Sequence, residues 1–293
     1  MMRLSTKRER AMLINVVIKK ELIATKITVP GVITMPLTFA HPAAVLPFSR
    51  SSKYINFSAL VLGSMAPDFE YFLRGRPSAE IGHTLIGFLT FNLPIVVLVY
   101  FIYHTWIHKT LWSHLPSFLQ ESPVQKPRSS KVLHIVVLLY SALFGMITHV
   151  VWDSFTHLNG FMVRNLSILT NTVRVFEFNI PIFKLLQHGS TIVGILIIIS
   201  YMYIRARKNR FNDKGLIKPK QKWMYWSLIA LVALLLFSLW YFIDQVSIGS
   251  YGIIVVRIID CGLISLLIIS LFFNHLSGAK VLSSTSHFNR RRF

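Results

Sequence analysis

Charge is scarce in this sequence, and acid scarcest. Charged residues make up 14% of the 293 residues, against about 25% in a soluble globular domain. Asp and Glu together number 11 against 31 Lys and Arg, a formal charge of +20. So little charge cannot clothe a water-facing surface on a chain that is 53% hydrophobic, which excludes a purely soluble domain. The same composition excludes a disordered or collagen-like chain. A single cysteine, Cys261, excludes an intramolecular disulfide framework and a cysteine-cluster metal site. There is no glycine-rich phosphate loop and no Gly-x-Ser-x-Gly nucleophile motif, so ATPase and serine-hydrolase readings have no support.

What the chain has instead is long apolar runs. A spanning helix needs about 20 mostly apolar residues. Thr84–Tyr103, Val132–Trp152, Trp223–Ile243 and Tyr251–Phe273 meet that length, and Thr191–Ile204 approaches it if it begins near His188. The expected fold is all-α, a polytopic helical bundle with about five full spans. A sixth apolar stretch, Pro42–Pro67, is broken by Ser49–Tyr54. It reads either as one interrupted span or as two short helices in a re-entrant hairpin, with other helices covering the break. Arg257 and Asp260, three residues apart in the last span, are expected to pair on one helix face. Three regions follow: a basic extension over 1–34, a helical transmembrane domain over 35–279 and a basic tail over 280–293.

The basic residues gather at the ends of the apolar runs. That favours contact with membrane lipid over nucleic-acid binding. The loop 205–222 carries eight Lys and Arg against Asp213 alone, so it and the C-terminus are expected in the cytoplasm. Segments 68–83 and 153–188 then lie outside. The basic N-terminus agrees with this orientation only if Pro42–Pro67 crosses once.

Several polar groups fall on the outer side. His149, Asp153 and His157, in HVVWDSFTH, are spaced four and four, which stacks them along one helix face. Two imidazoles and a carboxylate so placed suit zinc or another divalent transition ion, or else form a helix-end network anchored by the Asp. Asp68 and Glu70, in GSMAPDFEYF, follow a helix that Pro67 ends. Asp68 is the better ligand; Glu70 reads as a ligand, a general base or a solvated acid. His83 precedes the first span, with Glu80 placed to orient its second nitrogen. His188 begins the third span on the same side. His41 joins them only if Pro42–Pro67 is re-entrant. His104, His108 and His114 read as ordinary interfacial residues. Arg164, Arg174 and Lys184 read as a solvated face or as holders of an anionic headgroup.

The runs MPLTFAHPAAVLPF, LGSMAPDFEYF, the GHT at His83, HVVWDSFTH and the QHGS at His188 carry a resemblance. Together they resemble the multi-pass bacterial membrane proteins of the domain-of-unknown-function family 4184, from about Met35 onward. The chain is also distantly similar to inner-membrane metal-dependent hydrolases. That similarity implies a bacterial cell-membrane location and a metal site drawn from His41, Asp68, His83, His149, Asp153 and His157. A hydrolase built on such a site would hold one or two divalent ions, zinc among the candidates, with Glu70 or an unligated Asp, Asp68 being the one near it, accepting the proton of a bound water. The reaction expected would act on a phosphoryl or acyl centre of a lipid or envelope-linked molecule. The rival reading is a non-catalytic structural or binding membrane protein, its His and Asp residues tying helix ends together. A transporter is a third class, favoured only by the break in Pro42–Pro67. The sequence specifies no oligomeric state.

Overall fold

The computed structural model describes residues 38–48, 50–120, 130–208 and 217–289, with side chains as far as 276. The basic extension 1–34, the middle of the loop 205–222 and the tail's side chains lie outside the described residues. Five helices are long and apolar enough to cross a membrane: Leu85–His114 (α3), Lys131–Asn165 (α4 with α5), Ile182–Lys208 (α6), Pro219–Asp244 (α7) and Tyr251–Leu276, the first part of α8 (Tyr251–Asn289). Here α4 is Lys131–Thr156 and α5 is Phe161–Asn165. Most of the large apolar side chains on these helices are exposed on the protein, Leu234 and Phe242 among them. Helices that bury so little against each other present their apolar surface to lipid. The protein is an all-α, multi-pass membrane bundle.

The spans are longer than their apolar runs. The first continues past Tyr103 to His114, and the third starts at Ile182, ahead of the apolar run. α3 widens into π turns at Phe88–Asn92 and Tyr103–Ile107. The first of these lies immediately before Pro94, where the ladder must absorb a missing N–H. Between α5 and α6 a small antiparallel hairpin pairs Thr172–Val175 (β1) with Phe178–Pro181 (β2).

No spanning helix forms in 42–67. A 3₁₀ helix, Thr38–Val45, runs in, and the short helix Phe57–Gly63 (α1) runs back. Both ends meet α4 at the same level: His41 stacks on His149, and the Ser64 carbonyl accepts from His149 Nδ1. Deeper along α4, Asn56 N donates to Ser141 Oγ, and the Tyr140 hydroxyl donates to the Tyr54 carbonyl. Eight residues separate Ser141 from His149, so this contact lies about 12 Å along the helix from the stacked pair. The segment is therefore the re-entrant hairpin of the two expected forms. Its cover is close: a Cβ at Gly63 would lie 2.1 Å from the Ala142 carbonyl oxygen, and one at Gly145 2.3 Å from that of Leu60. Ala59, Ala66, Phe69, Phe88, Val96, Leu138, Ala142 and Met146 fill the buried core between hairpin, α3 and α4.

The expected pair between Arg257 and Asp260 does not form. Arg257 reaches back across the 245–250 turn to Asp244 and lies over the Trp240 ring. Asp244, at the end of α7, is more exposed than Asp260, while Arg257 itself stays largely buried, its Nε and one Nη without a hydrogen bond. Asp260 Oδ2 is buried without a hydrogen bond.

Candidate metal centre

Four segments deliver polar side chains to one end of the bundle. The 3₁₀ helix brings His41. The turn after α1 brings Asp68, just ahead of Phe69–Arg74 (α2). The loop before α3 brings His83. The last turns of α4 bring His149 and Asp153, one turn apart, with His157 at its C-cap. One ligand atom each from Asp68, His83, His149 and Asp153 lies within 4.8 Å of all the others. His149 Nε2 stands 3.1 Å from Asp153 Oδ2 and 3.5 Å from Asp68 Oδ1; His83 Nε2 stands 3.5 Å from each carboxylate. The other oxygen of Asp153 faces His41 Nε2 at 3.1 Å and His157 Nδ1 at 3.4 Å. Each oxygen of Asp153 thus serves two imidazoles.

The hydrogen bonds fix how these rings point. His149 Nδ1 lies 2.7 Å from the Ser64 carbonyl, and His41 Nδ1 lies 3.1 Å from that of Thr38. A carbonyl only accepts, so both Nδ1 atoms carry hydrogen. In neutral rings each Nε2 then presents a lone pair to a carboxylate oxygen, which also has only lone pairs. His149 Nε2 is fully buried and makes no hydrogen bond. Such opposed acceptors are stable only with a cation between them, either a metal ion or a proton. The backbone-carbonyl bond on the far nitrogen is the usual support of a metal-ligating histidine. Asp68 is braced likewise, its Oδ2 accepting from the Thr38 hydroxyl at 2.7 Å. The donor set fits a divalent ion.

Glu70 has a different setting. Its Oε2 accepts the backbone N–H groups of Glu80, Ile81 and Gly82, at 3.0, 2.9 and 2.8 Å. Its Oε1 receives the Arg74 guanidinium, Nε at 2.8 Å and an Nη at 2.7 Å. Burial raises the Glu70 carboxyl, but these donors outweigh it and hold the pKa below the ordinary value. Both oxygens are occupied, and the group pins the loop that carries His83. Asn92 secures the same loop, its Nδ2 donating to the Gly82 carbonyl at 2.6 Å. Glu80 pairs with Arg74 and makes no hydrogen bond to His83, as its exposed position favours.

Burial also raises Asp68, but the His149 and His41 imidazoles outweigh it and lower its pKa. Tyr71 stacks on His83, with ring centroids 6.3 Å apart. Burial, and then the charges of Asp68, Asp153 and Glu70, keep its phenol protonated well above the ordinary range. The His83 side chain is 32% exposed while that of His149 is 0%, so the cluster is closed at the His149 side and open at the His83 side. His188 stays outside the cluster, its Nε2 buried and unpartnered. Thr38, Ser64 and Tyr71 were not foreseeable as participants: a hydroxyl, a carbonyl and a phenol beside the motifs carry no spacing signal. The structure gathers the six histidines and aspartates expected there; Glu70 lies beside them on its own partners.

A family described as Domain of unknown function (DUF4184) matches residues 35–271. No curated protein and no solved structure matches the chain.

Proposed function

We propose, for a chain that belongs to the DUF4184 family of multi-pass membrane proteins, that the cluster binds a divalent ion and thereby ties the re-entrant hairpin, the loop before α3 and the end of α4 together. Asp68, His83, His149 and Asp153 are its ligands. The reading rests on one observation: His149 Nε2, buried and without a hydrogen bond, faces two carboxylate oxygens while its Nδ1 is committed to a carbonyl. Two imidazoles and two carboxylates suit zinc and also other transition ions. The test is elemental analysis of detergent-purified protein. One ion per chain is expected in the wild type, and far less in His149→Ala and Asp153→Asn. Metal-free wild type that keeps its fold, or full metal in both variants, would reject the assignment.

A second reading is favoured by the opening at His83, whose exposed edge leaves room for a substrate. In it the centre hydrolyses a phosphoryl or acyl bond in a lipid or envelope-linked molecule. A bound divalent ion would supply Lewis acidity and lower the pKa of water. In this reading His83, His149 and Asp153 would hold the ion and Asp68 would stand outside the ligand set, its Oδ1 accepting the proton, while Tyr71 would donate a hydrogen bond to the oxygen that gains charge. Glu70 acts in this reading as a positioning residue. The basic loop 205–222 favours the cytoplasm and so an outer position for the centre, whereas the return of 42–67 leaves the basic N-terminus on the centre's own side, against the same pattern. Release of phosphate or fatty acid from reconstituted lipid, lost in Asp68→Asn and kept in His134→Ala, is the measurement that separates turnover from a static tie.

A further inference from the structure

At the end of the bundle opposite the His/Asp cluster, a cavity of about 920 Å³ opens between the C-terminal end of α3 and the start of α7. Among the described residues its wall includes His114, Ser117, Lys218, Lys222, Trp223 and Trp226, and no acidic residue. Lys222 is the unusual member. It is 9% exposed, and its ammonium donates only to neutral acceptors, Gln120 Oε1 at 3.1 Å and Ser117 Oγ at 3.3 Å. No carboxylate among the described residues pairs with it. A buried cation without a counter-charge is costly, and one N–H of the ammonium remains for a further acceptor.

The surroundings say what kind of anion fits. Lys218, beside Pro219 at the start of α7, adds a second positive charge, and the helix start adds its dipole. Trp226 is anchored by its Nε1 donating to the His114 carbonyl at 2.9 Å, while Trp223 is 75% exposed. The cavity lies where two apolar spans end, the level at which headgroups meet acyl chains and tryptophan is favoured. With two lysines and no acid among the described wall residues, the wall favours a phosphodiester over a choline or ethanolamine cation. We infer that this cavity is a binding site for an anionic phospholipid, its phosphodiester on Lys222 and Lys218 and an acyl chain along Trp223. Basic pockets between spanning helices take lipid headgroups in this way. The site shares no residue with the His/Asp cluster, so the two proposals stand or fall separately.

The test is native mass spectrometry of the full chain from mixed micelles containing phosphatidylglycerol or phosphatidylcholine. The wild type should retain one phosphatidylglycerol and discriminate against phosphatidylcholine at least tenfold. Lys222→Met should lose that preference, Lys222→Arg should keep it, and Trp223→Ala, at an exposed position, should weaken retention of both lipids. Asp153→Asn should leave retention unchanged. Equal retention of the two lipids by the wild type overturns the inference even if Lys222→Met fails to fold. So does unaltered preference in Lys222→Met. If millimolar inorganic phosphate displaces the lipid and matches its thermal protection, the site takes the free anion and the lipid assignment fails.

Discussion

A buried carboxylate is stable only if donors replace the water it gives up, and Glu70 has five from two directions. Because its pKa is lowered in the folded state, the unfolded chain takes up the proton first as pH falls. Glu70 therefore contributes stability above its unfolded value, near 4.5, and that contribution drains away as pH drops below it. Glu70→Gln should remove this acid-sensitive component and cost about 2–4 kcal/mol at neutral pH, by the loss of charge-assisted hydrogen bonds. Thermal melts of both proteins from pH 7 to pH 3.5 check it: the gap between them should narrow with acid. An unchanged gap would return Glu70 to the pool of groups free to move protons. From the sequence, Glu70 had no visible donors, since three of them arrive ten to twelve residues later through a loop with no regular pattern. The HVVWDSFTH spacing was legible because a helix converts a four-residue interval into a shared face.

Among the elements, the spans were legible, while 42–67 could be read only as far as a choice between an interrupted span and a re-entrant hairpin. Apolar runs report the part of a helix in contact with lipid, so they found five spans and misjudged their ends. Leu85–His114 carries its polar end, His104 to His114, past the apolar run. Whether 42–67 crossed or returned depended on Gly63 and Gly145, which admit backbone to within contact of α4. Two glycines at unremarkable spacing give no reading of that from sequence. Small residues at such crossings are how helices in lipid come close. Gly145→Ala should force the hairpin off α4 at a cost of about 1–3 kcal/mol. The loss should appear as a lower melting temperature together with weakened metal retention, since Ser64 and Asp68 move with the hairpin. Val151→Ala, on the exposed side of α4, should change neither. The β1–β2 hairpin also escaped notice: its turn has Phe176 at φ 54°, without the Asn-Gly or Asp-Gly pair that marks such turns.

For the molecule as a whole, a bound ion would join segments that are otherwise held by a thin core. A ligand that binds only the folded state stabilises it by mass action, about 2.7 kcal/mol at a hundredfold excess over Kd. Chelation should therefore lower the melting temperature by several degrees, and re-addition of the metal should restore it. Asp153→Asn should melt at the chelated value with or without metal. A melting temperature indifferent to chelator would leave the proton as the cation between the opposed acceptors. The rival structural tie then survives without a metal.

The re-entrant hairpin also sets an order of assembly. Translation delivers His41 and Asp68 respectively 90 and 63 residues before Lys131, where the helix that carries His149 begins. Until that helix is inserted, the hairpin's irregular backbone has no neighbour to shield it from lipid. The N-terminal half of the cluster must therefore wait, at the insertion machinery or in the interface. It seats only when the second spanning helix arrives, so a nascent chain released before Asp153 would have neither a settled hairpin nor a place for an ion.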